Sequence, residues 1–190
     1  MKKIFLLLFT LASVMCYEQN TATTDRGVVI NGVRWATRNV YTPGTFAAHH
    51  GSRSRLYQWN RSTTEWTSGW LGGYTVATTW SRAFNPCPAG WRVPTKAELI
   101  RLVDAGSTWT RLNGIYGRLF GTAPNQIFLP AAGLRVCNDY LRNRNWIGYY
   151  WSSTPHEEGW EAWHLQITDL GTPLFVRPRS MGFSVRCVAN

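Results

Sequence analysis

The chain has 190 residues, 44% of them hydrophobic, which fits one globular domain with a sizeable core and argues against disorder. Its formal net charge is +10, and about +8 remains if an N-terminal segment carrying Lys2 and Lys3 is removed. The basic residues are mostly arginines spread along the whole chain, whereas nucleic-acid binders usually concentrate them on one helix or stripe. We therefore expect no nucleic-acid partner, and a use of Arg for its flat, hydrogen-bonding side chain.

The N-terminus has the pattern of an export signal. Lys2 and Lys3 precede an apolar run, Ile4 to Ala12, that is too short to span a bilayer, and small residues follow it. Residues 1–16 are therefore predicted to be a signal peptide, and the mature chain to leave the cytoplasm.

Cys16 ends a segment that resembles a bacterial lipoprotein signal, in which the cysteine becomes the lipidated first residue. Ordinary cleavage near residue 16 is the alternative, so both an outer-membrane or cell-surface lipoprotein and a secreted protein are open. A lipid anchor would be the chain's one link to a membrane. Residues 17–26 are predicted to be a short tether, and residues 27–190 a single domain.

The domain begins with a predicted β-hairpin. Val28 to Ile30 and Val33 to Trp35 flank Asn31-Gly32, the pair that most readily takes the positive φ angles of a tight turn. Residues 42–78 are rich in Gly, Ser and Thr with isolated aromatics, which predicts short strands and long loops.

The clearest helix signal is the segment "RVPTKAELIRLVDAG". Thr95 is a candidate N-cap, Glu98 completes a capping box, and Gly106 is a stop signal. A second, shorter helix is predicted from Thr79 to Phe84. Four aromatic and β-branched runs follow, "IFLP", "YYWSS", "AWHLQI" and "GFSVRCV", and predict a late antiparallel sheet in an α+β fold.

The cysteines fit an exported protein. A bond between Cys87 and Cys187 would close a loop of 100 residues. Cys137 would then be a free thiol, a partner in a different pairing, or a reactive or intermolecular thiol.

Seven motifs of the chain, taken in order, resemble the Fibrobacter succinogenes major paralogous domain. They are "VVINGVRWATRNV", "LYQWNR", "NPCPAGWRVPTKAEL", "LFG", "IFLPAAGLR", "GYYWSSTP" and "GFSVRCV". This family occurs in secreted and surface proteins of Bacteroidetes and Fibrobacteres, and the resemblance runs from about Val28 to Val188. It implies a C-type-lectin-like fold in which the terminal strands lie together, and it favours the Cys87–Cys187 pairing. It also implies a displayed surface over Gly133 to Met181, which diversity-generating retroelements vary in some members of this fold.

Trp, Tyr and Arg give a binding surface large rigid area with a polar handle. Along "EAWHLQI" we interpret Ala162, Leu165 and Ile167 as inward and Trp163, His164 and Gln166 as outward, with a bulge or a strand entry where alternation breaks. Trp91 and Trp151 are predicted to be core residues. The candidate ligand-binding residues are Tyr140, Arg142, Arg144, Trp146, Tyr149, Trp160, Trp163 and His164.

The sequence favours no cofactor, metal or catalytic residue. The oxygen-ligand triplets of calcium-binding lectins are absent from the late segments, and His49, His50, His156 and His164 are too sparse for a metal site. No residue orients a Cys137–histidine pair, so we expect no enzyme activity.

The sequence thus predicts an exported ligand-binding module for a protein or a glycan. The alternative is a structural subunit, associated with fimbriae or the cell surface, whose aromatic face docks permanently on a sister protein.

Overall fold

The computed structural model describes residues 24–52, 55–63, 79–136 and 140–190. The predicted signal peptide, Cys16, most of the tether and Cys137 lie outside the described residues. No helix in the described ranges is long and apolar enough to cross a membrane.

Fourteen short strands, one α-helix and one 3-10 helix make up the described fold. The strands are β1 Val28–Ile30, β2 Val33–Trp35, β3 Tyr57–Gln58, β4 Trp91–Arg92, β5 Ser107–Leu112, β6 Ile115–Thr122, β7 Asn125–Pro130, β8 Leu134–Arg135, β9 Leu141–Arg142, β10 Gly148–Pro155, β11 Glu161–Ile167, β12 Leu174–Pro178, β13 Gly182–Phe183 and β14 Val188–Ala189. Helix α1 is Lys96–Asp104, and the 3-10 helix is Arg82–Phe84. The strands form four small antiparallel sheets, in the orders β1-β2-β14-β4, β10-β11-β12, β3-β13-β8-β9 and β5-β6-β7. This mostly β architecture with a helix is compatible with the predicted α+β class.

The first sheet joins the two ends of the domain. Asn31 and Gly32 have φ angles of 45° and 76°, so the predicted hairpin turn is confirmed. Val188 of β14 pairs with Trp35 of β2 on one side and with Arg92 of β4 on the other. The start and the end of the domain are therefore held in one sheet.

Helix α1 confirms the predicted capping box. The Thr95 side chain accepts a hydrogen bond from the Glu98 backbone N–H, and the Glu98 carboxylate accepts one from the Thr95 N–H in return. Leu99 and Leu102 are buried, which fixes the helix on the core. The predicted second helix is shorter than expected: a single 3-10 turn covers Arg82–Phe84, with Ser81 as its N-cap.

A three-stranded meander of β5, β6 and β7 was not predicted over its first two strands. Asn113 and Gly114 form its first turn, with φ angles of 49° and 81°. These are the same turn residues as in the first hairpin, so the signal was present. The polar side chains of Ser107–Leu112 obscured it, because that strand is mostly half-exposed.

Two hydrophobic clusters form the core, and β11 lies between them. Ala162 belongs to one cluster together with Trp91 and Trp151, while Leu165 and Ile167 belong to the other. Trp91 and Trp151 are thus core residues, as predicted, and Ala162, Leu165 and Ile167 are buried, as predicted.

A disulfide joins Cys87 and Cys187, as predicted, with the two Cα atoms 6.1 Å apart. Both sulfur-bearing residues are buried in the cluster that contains Trp151. The bond therefore connects the loop before β4 to the segment before β14 inside the core.

Candidate ligand-binding surface

The most exposed aromatic side chains of the described domain lie directly before β9 and in the turn after it. Trp146 is 77% exposed and Tyr140 is 65% exposed. Arg142 and Arg144, between them in sequence, are also exposed. We call Tyr140–Trp146 the Arg-Trp turn. Four of the eight predicted ligand-binding residues lie in it.

The backbone of the Arg-Trp turn is fixed by hydrogen bonds. Asn143 and Asn145 have φ angles of 59° and 68°, a region that Asn tolerates better than most residues. The Asn143 carbonyl accepts hydrogen bonds from the N–H groups of Trp146 and Ile147, and the Asn145 N–H donates to the Ala131 carbonyl. The turn is therefore tied both to itself and to the strand connection behind it.

Gly133 lets the turn approach this connection closely. Its φ angle is +78°, and a Cβ at this position would collide with the Arg142 carbonyl oxygen and lie 3.0 Å from the Arg144 nitrogen. Only glycine combines that φ angle with that approach at low cost. Gly133 therefore fixes the backbone position of Arg142 and Arg144 by allowing their close approach.

Tyr149 is buried, which corrects its predicted place on the exposed surface. Its side chain is 5% exposed and stacks on Phe183 at a centroid distance of 5.1 Å. The side-chain amide of Asn143 donates a 2.9 Å hydrogen bond to the Tyr149 hydroxyl, and burial raises the pKa of that hydroxyl. Tyr149 thus supports the Arg-Trp turn from inside.

His164 is also buried, and its predicted outward orientation is wrong. It is 0% exposed and is surrounded by the rings of Tyr149, Trp151, Phe175 and Phe183. The prediction assumed that one face of β11 is exposed to solvent, but both faces of this strand carry fully buried side chains, His164 on one and Leu165 on the other. The alternation of side chains continues through Trp163 and His164, and the register shift lies instead in β10, between Trp151 and Pro155.

Neither ring nitrogen of His164 makes a hydrogen bond of ordinary geometry. Burial lowers the pKa of His164 to about 3, with a further contribution from the positive charge of Arg177. The imidazole is therefore a neutral core group.

The remaining two candidates lie at the opposite end of β10. Trp160 is 42% exposed, in the loop between β10 and β11. Trp163 is half-buried, with the Nζ of Lys96 3.2 Å from its ring centroid and the His156 ring edge against it. The eight residues of β10 span roughly 23 Å, so the predicted surface divides into two separate patches.

The charged side chains of the Arg-Trp turn are all positive. In the part of the chain that the structure describes, no carboxylate lies within ion-pair distance of Arg142 or Arg144. The segment Tyr140–Trp146 contains no acidic residue. Two guanidinium groups and two rings are therefore exposed, with no counter-charge among the described residues.

A cleft of about 800 Å³, which the sequence does not predict, lies outside the Arg-Trp turn. Trp80, Arg82, Asn85, Trp91, Arg92 and Ser153 are among the residues that line it. Arg92 is paired with Glu98 at 2.6 Å, whereas Arg82 makes no ion pair with any described carboxylate. Its two tryptophans are buried core residues, so their rings are not presented to a ligand as Trp146 is.

Comparison of the chain with protein-family models, with curated proteins and with solved structures finds no match.

Proposed function

We propose that the protein is an exported ligand-binding module, anchored at the cell surface or secreted, whose contact surface is the Arg-Trp turn on a C-type-lectin-like scaffold of the Fibrobacter succinogenes major paralogous type. The observation that carries the proposal is the exposure of Trp146 and Tyr140 beside two arginines that form no ion pair with a described carboxylate. Trp, Tyr and Arg side chains are enriched at protein interfaces and among the residues that carry most of the binding energy.

The rigidity of the turn supports a binding role. Its backbone donates hydrogen bonds to the Asn143 and Ala131 carbonyls, and the Asn143 side-chain amide donates to the buried Tyr149 hydroxyl. A surface that is already ordered loses less conformational entropy on binding, so more of the contact energy contributes to affinity. An exposed Trp on a fixed turn is therefore better suited to act as an anchor residue than an exposed Trp on a mobile turn.

The charge of the turn indicates the chemistry of the ligand. Arg142 and Arg144 can each donate paired hydrogen bonds to a carboxylate, and the rings of Tyr140 and Trp146 can stack on a sugar or an aromatic side chain. The ligand that fits best is a glycan with acidic sugars or the acidic face of a protein.

Binding of the full chain to immobilised probes tests this function. The probes are polygalacturonate as an acidic glycan, a neutral glucan, and an acidic protein. We expect selective binding to an acidic probe, and a loss of about thirtyfold in affinity for Trp146→Ala and for the double variant Arg142→Ala/Arg144→Ala, equivalent to about 2 kcal/mol.

The matched control is the double variant Arg82→Ala/Phe84→Ala, which removes an exposed arginine and a 41% exposed aromatic beside the cleft. It should bind like wild type. Binding that depends on Arg82 and Phe84 instead would place the ligand in the cleft and contradict the proposal.

The alternative, a structural subunit, differs from the proposed module in the lifetime of its complex with a partner protein. A permanent partner should co-purify in stoichiometric amounts from outer-membrane or fibre fractions, whereas the proposed module should be recovered alone and bind its ligand reversibly. A neighbouring reverse-transcriptase gene with a template repeat matching Gly133 to Met181 would add that the surface is diversified.

A further inference from the structure

The tip of the β10–β11 hairpin carries a cluster that the proposed function does not use. One ligand atom from each of His156, Glu158 and Glu161 lies within 4.8 Å of the other two. We propose that this cluster is a binding site for one divalent transition-metal ion of the Zn²⁺ class.

The hairpin backbone holds the three residues together. The His156 N–H donates to the Glu161 carbonyl at 3.0 Å, and the Gly159 N–H donates to the His156 carbonyl at 3.1 Å. The indole N–H of Trp160 donates to a carboxylate oxygen of Glu158 at 3.0 Å, as groups around a metal ligand commonly do. His156 and Glu161 therefore face each other across the hairpin, with Glu158 oriented from the loop.

Two observations favour binding of a cation here. Glu157, Glu158 and Glu161 are three of the ten acidic residues of a strongly basic chain, yet none makes an ion pair with a described basic residue. In addition, the Nδ1 atom of His156 is enclosed by protein and has no hydrogen-bond partner in the described part of the chain. Coordination through this nitrogen would satisfy it, and a dication would neutralise the adjacent carboxylates.

The geometry and the ligand types favour a zinc-like ion. Three atoms at the corners of a triangle with 4.8 Å sides share a point about 2.8 Å from each. Zinc bonds of about 2.0–2.2 Å need each of the three ligand atoms to move toward that point by less than ~1 Å, a displacement that small side-chain rotations provide. One imidazole with two carboxylates suits Zn²⁺ and its neighbours better than Ca²⁺ or Mg²⁺, which prefer oxygen ligands alone. Water would complete the coordination.

Titration calorimetry of the full chain with ZnCl₂, after removal of metal by a chelator, tests the site. We expect one ion per chain, and at least a tenfold loss of affinity in His156→Asn and in Glu161→Gln. Glu157→Gln is the matched control, because it removes a neighbouring charge outside the cluster, and it should bind within about twofold of wild type. Urea unfolding of the metal-free variants checks that each is folded.

The absorption spectrum of bound Co²⁺ distinguishes this site from a site with cysteine ligands. Co²⁺ at the proposed site should show no thiolate charge-transfer band, because its ligands are nitrogen and oxygen. Absence of binding, unchanged affinity in His156→Asn, equal losses in Glu157→Gln and Glu161→Gln, or a thiolate band would each overturn the proposal.

Discussion

Replacing His164 by Phe should remove about 2 kcal/mol of the loss of stability that we expect for this protein between pH 7.5 and pH 5. His164 is fully buried among aromatic rings, and neither of its ring nitrogens has an ordinary hydrogen bond. Its pKa is about 3 in the folded protein, because burial and the charge of Arg177 disfavour the imidazolium. An unfolded histidine has a pKa near 6.5.

The sign and the size of the effect follow from these two values. As the pH falls below about 6.5, the unfolded state takes up a proton at His164 and the folded state does not, so the free energy of unfolding decreases. At pH 5 the unfolded pKa is about 1.5 units above the pH, and each unit is worth 1.36 kcal/mol, so the loss is about 2 kcal/mol. This value is insensitive to the folded pKa as long as that pKa stays well below 5.

Urea unfolding at a series of pH values measures the effect. Wild type should lose about 2 kcal/mol between pH 7.5 and pH 5 from this group, and His164→Phe should lose correspondingly less. His49→Asn, which replaces an exposed histidine, should keep the wild-type slope. An identical pH dependence in His164→Phe and wild type would refute the assignment of His164 as a neutral core residue.

Three further predictions follow from the same packing. Trp151→Ala should destabilise the domain by ~3–5 kcal/mol in urea unfolding, because the ring is 0% exposed, whereas Trp146→Ala should change the free energy of unfolding by less than ~0.5 kcal/mol. Similar losses in both variants would contradict the assignment of Trp151 to the core and Trp146 to the surface. Gly133→Ala should cost ~1–3 kcal/mol and also weaken binding at the Arg-Trp turn, and a variant with wild-type melting and binding would show that the close approach is unimportant. Replacing Cys87 and Cys187 together by Ala should cost ~2–4 kcal/mol, because the bond closes 100 residues, and a peptide map without a Cys87–Cys187 peptide would contradict the pairing.

Elements that depend on neighbouring residues could be predicted from the sequence. Asn31-Gly32 fixes its hairpin by the φ angles that those residues tolerate, and Thr95 with Glu98 fixes the start of α1 by reciprocal hydrogen bonds. Asn113-Gly114 carries the same signal. It was missed because the strands beside it lack a clean apolar alternation.

Exposure within the candidate site could be predicted less well, because it depends on what packs on each side of a strand. A strand with one solvent-exposed face predicts His164 outside, but β11 contributes buried residues to two clusters, one on each face, that form only in the folded chain. Tyr149 is buried for a similar reason, since Phe183 from near the C-terminus covers it. Trp146 and Arg144 follow a short strand and lie in a turn, where exposure is the usual outcome, and their position agrees with the prediction.

The affinity of the full chain for an acidic probe, measured for wild type, Trp146→Ala and the Arg82→Ala/Phe84→Ala control, tests the central claim most directly. A ligand-binding Arg-Trp turn predicts about a thirtyfold loss for Trp146→Ala with unchanged stability, and wild-type affinity for the control. Equal affinity of Trp146→Ala and wild type, or no binding of wild type to any acidic probe, would contradict it.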